Sequence, residues 1–137
     1  MLITMEDELI YFYFQAKASA SLPIGTYPDV NGYLLYDQKG HWLGYRMFRT
    51  VQGKNQVPVS IPKIRKIDYP IFNASIEDGK DYIEIKFDKD TPVYKMRQQE
   101  CMLDFNEHGL FGIEVIRKPE NPAGNSNLVG KFLEPDI

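Results

Sequence analysis

Residues 33–47, which read YLLYDQKGHWLGYRM, and residues 102–115, which read MLDFNEHGLFGIEV, decide the fold of this chain. Each stretch has an apolar run, a polar turn with a histidine next to a glycine, and a second apolar run that contains another glycine. Turn glycines supply the positive φ of a tight connection, and a glycine inside a strand indicates a bulge or a close approach of another backbone. We therefore predict two similar β-hairpins, with such special positions at Gly44 and Gly112.

A similar segment precedes each hairpin along the chain. Residues 7–14, DELIYFYF, and residues 80–87, KDYIEIKF, both have an acid within their first two positions and continue into β-branched and aromatic residues that favour strands. Strand and hairpin together predict an internal repeat, with one half at residues 6–50 and the other at residues 79–117.

Length and pattern predict one mainly β domain. The 137 residues are enough for a single core, so we predict one domain over residues 1–137. Period-two alternation, without a convincing helical period, predicts an antiparallel sheet, either a sandwich or a half-open barrel, in which two similar hairpin-containing halves share a core. The expected buried residues are Leu35, Ile85, Phe87, Leu103 and Ile113.

Two shorter segments and the tail are predicted from local signals. Residues 57–62 alternate apolar side chains but contain two prolines, which confine the segment to a sheet edge. Residues 91–97 are predicted as a strand with Tyr94 and Met96 on one face and two bases on the other. Residues 118–137 form a coil-rich tail. Its apolar patch is expected to dock and consists of Leu128, Val129, Phe132 and Leu133.

The second half resembles a known family. The strand at residues 82–87 and the hairpin that ends in GIEVI at residues 112–116 are similar to the small bacterial domain of unknown function numbered twenty-two eighty-three. Members of that family pair an L-Y-I-x-L strand with a later D-x-D-x-x-G-x-x-V-G-I-E-I-L hairpin. The first half departs from the pattern at residues 44–47, GYRM. The resemblance covers half of the chain, implies a small β-rich unit, and transfers no catalytic residue.

The net charge of −3 conceals an uneven distribution. From Lys39 to Ile67 there are seven bases and no acid, with aromatic residues interleaved, which is typical of single-stranded nucleic-acid grooves. Bases that pair with acidic strands of the other half explain the same pattern, and the net acidity argues against a dedicated nucleic-acid binder. The stretch 39–67 therefore supports a nucleic-acid-binding module only as the alternative hypothesis. Its contact residues would be Trp42, Tyr45, Arg46, Arg49, Lys63 and Arg65.

Acidic and aromatic residues support the leading hypothesis. Residues 74–137 hold thirteen acids against eight bases, and the chain contains nine tyrosines and eight phenylalanines. Tyrosine and arginine dominate protein–protein hot spots, and an acidic face steers a basic partner toward it. We expect a non-enzymatic protein-binding module of the immunity or antitoxin type, which masks a toxin or effector. The candidate acidic face consists of Asp78, Asp81, Glu84, Glu107 and Glu114.

Few residues offer catalytic or metal-binding chemistry. Cys101 is the single cysteine, and we predict it to be a small buried residue; His41 and His108 both lie in hairpin turns. No spacing matches a zinc site, a calcium loop or a phosphate-binding loop. We therefore predict no enzymatic activity, no metal and no cofactor. The acidic N-terminus and the lack of a long apolar run predict a cytoplasmic protein without membrane association, and the oligomeric state stays open.

Overall fold

The computed structural model describes residues 1–6, 8–17, 25–51, 57–116 and 126–134. These residues form ten strands of one antiparallel sheet, which confirms the predicted mainly β fold. The strands are β1 (Leu2–Glu6), β2 (Leu9–Tyr13), β3 (Gly25–Tyr36), β4 (Trp42–Val51), β5 (Val57–Pro58), β6 (Ser75–Asp78), β7 (Tyr82–Lys86), β8 (Lys95–Gln98), β9 (Cys101–Asn106) and β10 (Gly109–Val115).

The sheet is strongly curled. Its strand order is β1-β2-β10-β9-β3-β4-β7-β6, with β5 paired to β4 and β8 paired to β3. In a flat sheet β2 and β4 would lie about 19 Å apart, because neighbouring strands are about 4.8 Å apart. The Phe12 ring of β2 nevertheless lies 6.2 Å from the Tyr45 ring of β4. The sheet therefore closes on itself as a half-barrel, one of the two predicted forms.

The core fills the inside of this half-barrel. Alternate side chains of β2 and β7, such as Phe12 and Ile85, are fully buried. The five core residues expected from the sequence are also fully buried: Leu35, Ile85, Phe87, Leu103 and Ile113. Helix α1 (Ser126–Val129) and a short 3₁₀ helix (Gly130–Phe132) add Val129 and Phe132 to the core, so the predicted docking of the tail is confirmed. Residues 118–125 and 135–137 of the predicted tail lie outside the described residues.

The two predicted halves exchange strands. Strand β2 of the first half pairs with β10 in the hairpin of the second half, and β7 of the second half pairs with β4 in the hairpin of the first. The registers are equivalent, because Phe12 lies opposite Ile113 and Ile85 lies opposite Tyr45. Each half therefore completes the sheet of the other.

Gly44 and Gly112 lie where the exchanged strands pass closest. A side chain on Gly44 would overlap the carbonyl oxygen of Ile85, and one on Gly112 would overlap the carbonyl oxygen of Phe12. A register shift directly precedes each glycine in its strand. The predicted bulge and close backbone approach are therefore confirmed at both positions.

Candidate interaction surfaces

Trp42 and Tyr45 are core residues, which corrects their expected role as exposed stacking residues. Both are 0% exposed. The Trp42 indole donates a hydrogen bond to the carbonyl of Gly44 at 2.9 Å, and the Tyr45 hydroxyl donates to the carbonyl of Gln99. Strict alternation would place the two rings on opposite faces of β4, but the bulge at Leu43 shifts the alternation and turns both inward.

Arg46 and Glu84 pair with each other, although Arg46 was predicted for the basic surface and Glu84 for the acidic face. They lie directly across β4 and β7, and Arg46 Nε donates to Glu84 Oε2 at 2.7 Å. The guanidinium also lies over the Tyr82 ring, 5.2 Å from its centroid. The structure therefore corrects the prediction that they serve separate basic and acidic faces, because each neutralises the other on the outer side of the sheet.

Arg49 and Asp78 form a second such pair, and this one is buried. The Arg49 side chain is 8% exposed and makes an ion pair with Asp78. Arg49 also donates to the carbonyl of Ile61 at 2.5 Å, while Asp78 accepts the backbone N–H of Ile64 at 2.7 Å. These contacts hold residues 61–64 against β6. The pair is structural, so neither residue is available to a partner as predicted.

The remaining predicted residues carry charges of both signs. Lys63, Arg65, Asp81 and Glu107 are exposed. The Lys63 ammonium donates to the carbonyl of Gly79 at 2.8 Å, and its own carbonyl accepts the N–H of Leu110 at 2.9 Å. Lys63 thus lies between the β6–β7 turn, which contains Asp81, and the β9–β10 turn, which contains Glu107. Acids and bases are mixed there, and no purely acidic or purely basic face results.

Glu114 differs from the other predicted acids in its location, which is on β10. It is partly buried on β10, where it faces Tyr11 across the sheet. Burial and the hydrogen bond to Asp104 raise the pKa of Tyr11, with Glu114 adding a smaller effect of the same sign. The Tyr11 hydroxyl donates to Asp104 at 2.6 Å, and the Thr26 hydroxyl donates to the same carboxylate at 2.6 Å. This network satisfies polar groups within the protein.

Two exposed apolar side chains, Tyr94 and Met96, lie close together on and beside β8. We define the β8 surface as Tyr94, Lys95, Met96, Arg97 and Gln98. Every one of these residues is exposed, with Tyr94 at 68% and Met96 at 43%. The sequence predicted a strand with these two faces over residues 91–97, whereas the structure has it at Lys95–Gln98, so residues 91–94 are not part of it. An exposed strand and a buried one share the same alternation. No sequence signal therefore marked β8 as a surface.

A cavity of about 300 Å³ adjoins the β8 surface. It is lined by Tyr36, Asp37, Gln38 and Gly40 on one side and by Tyr94, Lys95 and Arg97 on the other. The Asp37 carboxylate accepts the backbone N–H groups of Lys39 and His41, at 3.0 and 2.8 Å, within the β3–β4 turn. The cavity lining therefore carries charges of both signs, with Asp37 on the turn side and Lys95 and Arg97 on the β8 side.

Cys101 is placed as a buried structural residue. Burial raises the pKa of its thiol from 9.0 to about 12, partly opposed by a hydrogen bond with Tyr45. The thiolate is the reactive form of cysteine, so this thiol is unreactive at neutral pH. Within the part of the chain that the structure describes, no three His, Cys, Asp or Glu residues cluster as metal ligands.

Comparisons with known proteins do not indicate a function for this chain. No family model, no curated protein and no solved structure matches the chain. The resemblance of residues 82–116 to the domain of unknown function therefore stays a prediction. None of the helices in the described ranges is long and apolar enough to cross a membrane.

Proposed function

We propose that this protein is a non-enzymatic protein-binding module that contacts its partner through the β8 surface. The observation that carries the proposal is the joint exposure of Met96 on β8 and of Tyr94 directly before it, beside a strand whose residues are all exposed. Aromatic residues, methionine and arginine are enriched at the centres of protein interfaces, and the β8 surface also includes Arg97.

Internal pairing supports β8 over the surfaces expected from the sequence. Of the acidic face, Asp78 and Glu84 are engaged by arginines of the chain itself. Of the basic and aromatic set, Trp42 and Tyr45 are buried in the core. A nucleic-acid groove in the stretch 39–67 would lack both stacking rings and two of its guanidinium groups, so we do not favour that alternative.

The proposal includes the immunity or antitoxin type, in which binding masks a toxin or effector. It rests on class analogy for a small acidic chain without a recognisable catalytic constellation. Asp81 and Glu107, which are exposed, and Glu114, which is partly buried, would then steer a basic partner. The proposal also includes a cytoplasmic location, which the single, buried cysteine supports.

Affinity capture from the native host with matched variants tests the proposal. We expect the wild-type protein to retain one partner that the double variant Tyr94→Ala/Met96→Ala loses. The control is Leu9→Ala/Val57→Ala, which removes apolar side chains that are 42% and 58% exposed on β2 and β5. Retention of the same partner by all three proteins would overturn the role of β8.

A further inference from the structure

We propose that Asn31 is a site of spontaneous chemical modification, which the native fold keeps closed and which opens when the chain unfolds. The inference concerns the chain alone and does not depend on the proposed function. Asn31 is the only asparagine of the chain that is followed by a glycine. Asparagine is a thermolabile residue, and a following glycine, which has no Cβ, leaves the side-chain amide open to attack by the next backbone nitrogen.

The reaction takes place within the chain and consumes water. The backbone nitrogen of Gly32 bonds to the side-chain amide carbon of Asn31, and the C–N bond of that amide breaks, so that ammonia leaves. Water then opens the resulting cyclic imide at one of its two carbonyl groups. The product is aspartate or isoaspartate at position 31, with a carboxylate in place of the amide.

The fold gives the Asn31 amide a structural role. Residue 31 lies where the register of β3 with β4 shifts, between residues 30 and 32. Asn31 is 3% exposed, and its amide nitrogen donates to the hydroxyl of Thr50 on β4 at 2.8 Å. The amide therefore links the two strands across an irregularity that leaves ladder groups unpaired.

Gly32 is retained because of the packing of Tyr45. A Cβ on residue 32 would overlap the hydroxyl of Tyr45, which is fully buried and donates to the carbonyl of Gln99. Any other residue at position 32 would therefore have to move a core ring. Packing and hydrogen bonding thus keep a chemically labile Asn–Gly pair in the middle of a strand.

Strand pairing and burial protect this pair in the native protein. Ring closure requires the Asn31 amide to leave Thr50 and to fold back onto the nitrogen of Gly32. Both residues of the pair lie within β3, which is paired with β4 on one edge and with β8 and β9 on the other. The reaction therefore waits for the strand to open, and its rate follows the fraction of open chains.

The modified chain is expected to be unable to regain the native state. Aspartate at position 31 would place a carboxylate where the native side chain is 3% exposed, and a buried charge without a cationic partner is costly. Isoaspartate also lengthens the backbone by one carbon, which disturbs the alternation of the strand. Chains that stay unfolded long enough are therefore lost to refolding.

Mass spectrometry of proteolytic peptides tests the site and its protection. The full chain is incubated at mildly alkaline pH in buffer and in concentrated urea, and the conversion of amide to acid is followed at each asparagine. We expect conversion of Asn31 to be at least about a hundredfold slower in buffer, because a native domain is rarely unfolded. Equal rates in the two solutions, or no conversion of Asn31 in urea, would overturn the inference.

Asn73 is the internal control, because it is exposed in the native protein and is followed by alanine. It should convert slowly in both solutions. Conversion of Asn73 in urea as fast as that of Asn31 would show that the following glycine does not decide the site, and would overturn the proposal.

Asn31→Asp and Asn73→Asp test the consequence of the modification with an encoded carboxylate. We expect Asn31→Asp to shift the midpoint of urea unfolding to a lower concentration or to stay unfolded, and Asn73→Asp to unfold as the wild type does. In wild-type protein that is refolded after incubation in urea, the native fraction should contain only unmodified Asn31. Wild-type stability of Asn31→Asp, or modified chains in the native fraction, would overturn the loss of refolding.

Discussion

Arg49 and Asp78 form a buried ion pair that fixes residues 61–64 against β6. Arg49 donates to Asp78 and to the carbonyls of Ile61 and Gly79, and Asp78 accepts the N–H of Ile64. One side-chain pair therefore satisfies backbone groups from two segments of the chain. Removal of Arg49 is costly, because Asp78 then keeps only the half-exposed Lys63, whose ammonium lies 3.6 Å from the carboxylate.

Arg49→Ala is expected to lower the free energy of unfolding by about 3 kcal/mol, since it removes the buried partner of Asp78 and leaves only the half-exposed Lys63 as its cation. Urea denaturation at neutral pH measures the change. The control is Lys17→Ala, because the side chains of Lys17 and Glu134 are 42% and 44% exposed and such an exposed ion pair is worth about 1 kcal/mol or less. Equal losses in the two variants would contradict the structural role of Arg49.

Trp42 is the only tryptophan of the chain and is fully buried, so its fluorescence reports the core. We expect blue-shifted emission that iodide does not quench in the native protein. Emission should shift to longer wavelengths and become quenchable when the protein unfolds in urea. Native emission that iodide quenches would place Trp42 on the surface and would revive the stacking role expected from the sequence.

Gly44→Ala is expected to lower the free energy of unfolding by about 2 kcal/mol or more, because the added methyl group overlaps the carbonyl of Ile85. Gly130→Ala is the matched control, since its added methyl group would meet no atom within 4 Å. Thermal denaturation of both variants measures the difference. A Gly44→Ala variant as stable as the control would contradict the close approach of β4 and β7.

Stability is expected to fall at alkaline pH in part through Cys101. Its folded pKa of about 12 lies above its ordinary value of 9.0, so between these values the folded state keeps a proton that the unfolded state has lost. The stabilisation is complete below pH 9 and is lost as the pH rises toward 12. The expected slope from this group is about 1.4 kcal/mol per pH unit.

Urea denaturation from pH 8 upward measures that slope, with Cys101→Ala as the comparison. Burial also raises the pKa values of Tyr11 and Tyr45, so the variant should keep part of the alkaline loss. Parallel pH profiles for the wild type and the variant would show that Cys101 does not contribute.

Local sequence signals were sufficient for the hairpins, because period-two patterns and strand glycines act over a few residues. They could not place Trp42 and Tyr45, since a single bulge at Leu43 reverses which face each residue occupies. They could not pair Arg49 with Asp78 either, because that contact depends on how β4, β6 and β7 assemble. The charge runs in the sequence therefore predicted one basic and one acidic face. In the fold, two of the predicted bases pair with two of the predicted acids.

The exposure of β8 could not be predicted for a related reason. Its alternation of Tyr94, Lys95, Met96 and Arg97 is also found in strands that are covered on one face. Exposure depends on what packs over a strand, and the structure leaves every residue from Tyr94 to Gln98 exposed. Sequence defines the two faces of a strand, but its neighbours decide whether either face is covered.

Site-specific photo-crosslinking in the native host tests the central claim that β8 contacts the partner. A photoreactive benzoylphenylalanine would replace Tyr94 in one protein and the similarly exposed Val57 in the other. The account predicts a covalent adduct with one protein partner from position 94 and none from position 57. Adducts from position 57 alone, equal adducts from both positions, or no protein adduct from position 94 would contradict it.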